Sequence, residues 1–108
     1  MKNLIFTLLL GVALISTSAS AWTRYGGADS CGMVAEHEGD TLYEASYISW
    51  TLGYISGLNE LTQTVFDPAP DQFGIWKAVA LHCQKNPLDD LQTAAQQVWF
   101  EVFEKQQK

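Results

Sequence analysis

A chain of 108 residues in which twelve Asp and Glu outnumber six Lys and Arg, for a net charge of −6, is a poor partner for nucleic acid or anionic lipid, both of which are recognised by clustered basic side chains. Its two histidines and two cysteines match no standard zinc spacing, and it has neither a Cys-x-x-Cys redox motif nor a phosphate-cradling glycine loop. No metal, cofactor or nucleic acid is therefore expected, and the length allows one small domain.

The chain opens with Lys2, an apolar run from Leu4 to Ile15, and small residues from Ser16 to Ala21. Ala19-Ser20-Ala21 fits the A-x-A cleavage rule, so residues 1–21 are expected to be a cleaved signal peptide and residues 22–108 a single exported domain. The apolar run spans about 12 residues, whereas a bilayer needs roughly 20, so no membrane association is expected after cleavage. Export places the protein in the periplasm or outside the cell. Lys2 leaves with the signal, so five basic side chains face twelve acidic ones, a mature charge of −7. In an oxidising compartment Cys31 and Cys83, the only cysteines, are expected to form one intramolecular disulfide.

Gly26-Gly27 precede Asp29-Ser30, either of which can cap a short helix from Cys31 to about Glu36. Gly39-Asp40-Thr41 breaks the chain and restarts it. From Thr41 to about Leu61, Tyr43, Tyr47, Trp50 and Tyr54 form one helical stripe, and Leu42, Ala45, Ile48, Leu52 and Ile55 form the adjoining one. Pro68 and Pro70 stop the helix. A third helix is expected from about Asp71 to Lys85, with Phe73, Trp76, Val79, Ala80 and Cys83 on one face. Asn86 as N-cap, Pro87 at the first helical position and Asp89-Asp90 in the first turn predict a last helix running to about Lys105. Its buried face should carry Leu88, Leu91, Ala95, Val98 and Val102, flanked by Trp99 and Phe103. The fold class is all-α, a bundle of about four helices.

Ser30-Cys31-Gly32, the stretch Leu52 to Leu58, and Cys83-Gln84-Lys85-Asn86-Pro87-Leu88 occur together in this order, and the chain thereby resembles the HdeA/HdeB-like small periplasmic helical proteins. The resemblance implies a bridge from the first helix to the third, and a dimer that loosens in acid to expose apolar surface to unfolding clients. The chain departs from those chaperones in keeping few lysines, Lys77, Lys85, Lys105 and Lys108. Gly53-Tyr54-Ile55-x-Gly57, followed by a Pro-containing loop, is also similar to type VI secretion immunity proteins of the Rap/Tai class, although the further cysteines usual there are missing. That second likeness implies a preformed surface that blocks one effector.

Chemistry needs a constellation, and His37 between Glu36 and Glu38, or His82 beside Cys83, makes none, because sequence neighbours on a helix point apart. An enzyme is not expected. Gly53 and Gly57, with Ser46, Ser49 and Ser56 nearby, create a low strip on the second helix that either packs against the last helix or forms a seam with another chain. With thirteen aromatics in the chain, the expected dimer or partner surface is Tyr47, Trp50, Gly53, Tyr54, Ile55 and Gly57. The expected function is protein binding, either as a pH-responsive chaperone freed by protonation of carboxylates such as Glu44, Glu60, Asp67 and Asp71, or as an immunity protein. An envelope protein with no regulated step is the third possibility.

Overall fold

A computed structural model describes residues 23–108, so the expected signal peptide lies outside the described residues. Four helices follow in order: α1 (Cys31–Glu36), α2 (Thr41–Thr62), α3 (Gln72–Lys85) and α4 (Leu91–Gln107). The all-α class is as expected, and so is the bond between Cys31 and Cys83, which joins α1 to α3 with both sulfurs buried. No helix among the described residues is long and apolar enough to cross a membrane.

The helix starts follow local chemistry. Ser30 caps α1 by accepting from the Met33 amide at 3.1 Å, and Asp71 caps α3 by accepting from the amides of Phe73 and Gly74. The α2 start uses a different device: Glu44 reaches back to accept from the Gly39 amide at 2.9 Å. Its end is set by Gln63, which takes the left-handed conformation at φ 54° while the Thr64 amide donates to the Asn59 carbonyl at 2.8 Å. This is a Schellman closure made without glycine, five residues ahead of Pro68.

The expected start of the last helix is wrong by four residues. Asn86 ends α3, donating from both its amide and its side chain to the His82 carbonyl, and the N-cap of α4 is Asp90, which accepts from the Thr93 amide at 2.7 Å. The cause is tertiary. The carbonyls of Pro87 and Asp89 accept from the amides of Gly32 and Cys31, while the amides of Leu91 and Gln92 donate to the carbonyls of Asp29 and Gly27. The 86–91 turn is thus zipped to the residues that lead into and open α1, and the Pro87 and Asp89 carbonyls are unavailable to a helix. Leu88, expected in the core, is 98% exposed as a result.

Two clusters form the core. One surrounds the disulfide and gathers Cys31, Val34, Tyr47, Trp76, Val79, Cys83, Leu91, Ala94 and Val98. The other is built on Trp99, with Ile55 and Ala95 beneath it and Phe66, Ile75 and Phe103 around it. The core face of α2 is Tyr47, Thr51 and Ile55, at helical spacing of four. Leu42 is 83% exposed and Phe73 58% exposed, so the apolar stripes of α2 and α3 extend beyond the core.

Candidate functional site

Residues 24–30 form a hook that crosses α2 and docks against the start of α4. Gly26 and Gly27 both adopt positive φ, 83° and 70°, a conformation glycine adopts without steric cost. They lie so close to the Trp50 indole that a Cβ on either would overlap it. The Trp50 Nε1 donates to the Tyr25 carbonyl at 2.8 Å, so the indole is held at its edge and covered on its face. Trp50 in turn stacks on Tyr54, with ring centroids 5.1 Å apart and planes 12° apart.

Two carboxylates fasten the hook. Asp29 accepts from the Tyr47 hydroxyl at 2.9 Å. Arg24 pairs with Asp90 at 3.0 Å, the same carboxylate that caps α4. Burial pushes the Tyr47 phenol up, and the bond to the Asp29 carboxylate adds to this, to about 12. For Asp90, burial works against the charged form, but the hydrogen bonds from Thr93 and the Arg24 guanidinium outweigh it and hold the carboxyl below its ordinary value. Beneath the hook lies an open pocket of about 450 Å³, bordered by Arg24, Ser49, Trp50, Gly53, Tyr54 and Gln92.

The six residues expected to form one partner surface are divided by the fold. Tyr47 and Ile55 face the core, Trp50 and Tyr54 are half-buried next to the hook, and Gly53 and Gly57 lie exposed. A Cβ at either of these two glycines would meet no atom within 4 Å, so the small strip does not pack against α4. Of the four carboxylates expected to trigger opening, Glu44 and Asp71 hold helix starts, whereas Glu60 and Asp67 are exposed and their side chains make no hydrogen bond among the described residues. From the sequence, Asp29 and Asp90 are legible only as residues of helix starts, and Arg24 is not singled out. The adjacent Gly26-Gly27 was the available signal, since two consecutive glycines mark a backbone that must approach something closely.

On the other flank of α2 a second cavity, about 520 Å³, opens between α1, α2 and α3. Its lining includes Val34, Tyr47 and Trp76 from the core, with Glu38, Glu44 and Lys77 among its polar groups. His37 stacks on Tyr43 beside it, centroids 3.8 Å apart, and His82 bonds Asp89 at 2.8 Å in the α3–α4 turn. Among the described residues no three His, Cys, Asp or Glu side chains gather to hold a metal. No family model, curated protein or solved structure matches the chain.

Proposed function

We propose that this is an exported protein-binding domain of the chaperone kind, whose aromatic surface is covered at neutral pH and uncovered in acid. The observation that carries the reading is the hook: it lies over Trp50 and is fastened through carboxylates, Asp29 to Tyr47 and Asp90 to Arg24. Protonation weakens both fastenings, because a neutral carboxyl loses its attraction to Arg24 and its charge-assisted hold on a phenol. The sign is set by Asp90. Its folded value is depressed, so its contribution to stability is full above the ordinary carboxylate range and is lost as pH falls through that depressed value.

Among the described residues, Tyr47 on α2 lies against Asp29 with Tyr43 beside it, Arg24 and Tyr54 lie near Asp90, and the adjoining turn holds the His82–Asp89 pair. At the alkaline end the effect reverses in cause. Tyr47 is raised in the folded state, so its contribution is complete below about 10 and disappears as pH climbs towards about 12.

The test is the mass of the oxidised chain in solution from pH 7 to pH 2, with a dye that reports exposed apolar surface. Dye binding is expected to rise below about pH 4, where carboxylates titrate, and to begin at higher pH in an Asp29→Asn, Asp90→Asn double variant. A dye signal that stays flat to pH 2 overturns the reading. A neutral-pH partner surface, as in an immunity protein, is favoured instead by the open cavity between α1, α2 and α3, which needs no acid to form.

A further inference from the structure

The cavity between α1, α2 and α3 lies on the opposite flank of α2 from the hook, and its chemistry is different. Its base is apolar, from Val34, Tyr47 and Trp76, and its α3 edge carries two large exposed side chains, Phe73 and Leu81. These two are eight residues apart, about 12 Å along a helix at 1.5 Å per residue, so the apolar surface is a groove about two helical turns long and not a round pocket. A volume of about 520 Å³ is in the range of cavities that take a whole ligand.

Charge around the groove is segregated. From Tyr25 to Trp76 the chain contains eight carboxylates and no Lys or Arg. Glu38 and Glu44 line the groove on the α1–α2 side, and Glu36 and Asp40 are their neighbours in sequence. Lys77 is the single Lys or Arg in the lining among the described residues. An apolar groove of this length bordered by carboxylates matches the helix-in-groove mode of recognition, in which an amphipathic helix lays its apolar side chains down and its flanking charges meet the rim.

We infer that this groove is a docking site for a short amphipathic helix of a partner protein, apolar on one face and flanked by Lys or Arg. The apolar residues supply burial against Trp76, Phe73 and Leu81, and the basic flanks supply steering and register against Glu38 and Glu44. The site operates at neutral pH with the hook docked, so it stands apart from acid-driven exposure of Trp50.

The experiment uses the oxidised mature protein at pH 7 and two synthetic helical peptides with one shared apolar face, flanked either by lysines or by glutamates. Titration calorimetry is expected to show the lysine peptide binding at least about tenfold more tightly at low salt, with the preference shrinking as salt rises. Glu38→Lys should remove that preference, and Phe73→Ser, at an exposed position and with its fold checked by circular dichroism, should weaken both peptides. Asp90→Asn, which loosens the hook at Arg24 away from the groove lining, should change neither, and this separates the result from the acid mechanism. Equal or tighter binding of the glutamate peptide overturns the inference. So does a small neutral apolar probe that fills the groove while neither peptide binds, or a homodimer that Phe73→Ser dissociates, since the occupant is then a small molecule or a second copy.

Discussion

The two core clusters are held in different ways. Around the disulfide, three chain segments are locked together: Cys31 is bonded to Cys83, and the stretch from Gly27 to Gly32 exchanges four backbone hydrogen bonds with residues 87–92. Around Trp99 there is no covalent link and no backbone pairing. That cluster depends on ring packing, Trp99 stacked on Phe103 with centroids 5.2 Å apart and tilted against Phe66 at 6.4 Å, and on a few side-chain bonds. The Trp99 Nε1 donates to Asn59 Oδ1 at 2.7 Å, and Gln106 clasps the 67–68 loop by bonding the Asp67 amide and the Pro68 carbonyl. A small domain can thus keep one end closed by constraint on the unfolded chain and the other by contacts that open and close locally.

The largest effect should come from removing the constraint. Replacing both cysteines by serine frees a 51-residue loop in the unfolded state, and the chain-entropy relation puts the loss at about 4 kcal/mol. Thermal melting should show it, with hydrogen exchange of the Cys31 and Leu91 amides accelerated first. A melt shifted no more than a surface variant's would show that the zipped backbone, and not the disulfide, holds that end.

At the other end, Asn59→Ala leaves the buried Trp99 donor without its partner. The expected cost is about 2 kcal/mol, and tryptophan emission should shift as that cluster loosens while the disulfide end keeps its exchange protection. Simultaneous loss of protection at both ends would mean that the two clusters unfold as one unit.

Thr51 sits between the clusters on the core face of α2, fully buried, and its hydroxyl has no hydrogen-bond partner among the described residues. Thr51→Val keeps the shape and removes the orphaned polar atom, so chemical denaturation should show a gain of about 1 kcal/mol. No gain would mean that the hydroxyl is satisfied in solution.

The smallest expected change distinguishes uses of the outer face of α2. Gly53→Ala and Gly57→Ala each meet open space, and alanine is the better helix former, so each should stabilise the isolated chain by about 0.5–1 kcal/mol. Sedimentation reads the same variants for association. Monomer stabilisation with weakened self-association would identify the strip as a seam between copies, whereas stabilisation alone would leave it as plain surface.

Much of the local structure was legible. Apolar spacing and caps located all four helices, with α1 matching from Cys31 to Glu36 and α2 ending one residue beyond the expected Leu61. Cys31 and Cys83 needed no geometry, because the two cysteines of this chain have one intramolecular pairing. The misreading at Asn86-Pro87 is instructive for the opposite reason. Those residues satisfy the local rules for a helix start, but backbone groups of a segment sixty residues earlier in the chain claim the same carbonyls, and a periodicity argument cannot register such competition.

The candidate sites divide along the same line. Sequence alone determined the helical class, the disulfide, the acidic surface and the aromatic richness of α2, because each follows from composition or from spacing within one element. Only the tertiary structure decided that Tyr47 and Ile55 face inward, that Trp50 lies under Gly26-Gly27, that Asp29 and Asp90 fasten the hook, and that an apolar groove opens beside Glu38 and Glu44. Those outcomes depend on which segments meet across long separations. A helix carries its own hydrogen bonds and so records its position locally, whereas a hook, a groove or an ion pair exists only once distant parts of the chain are brought together.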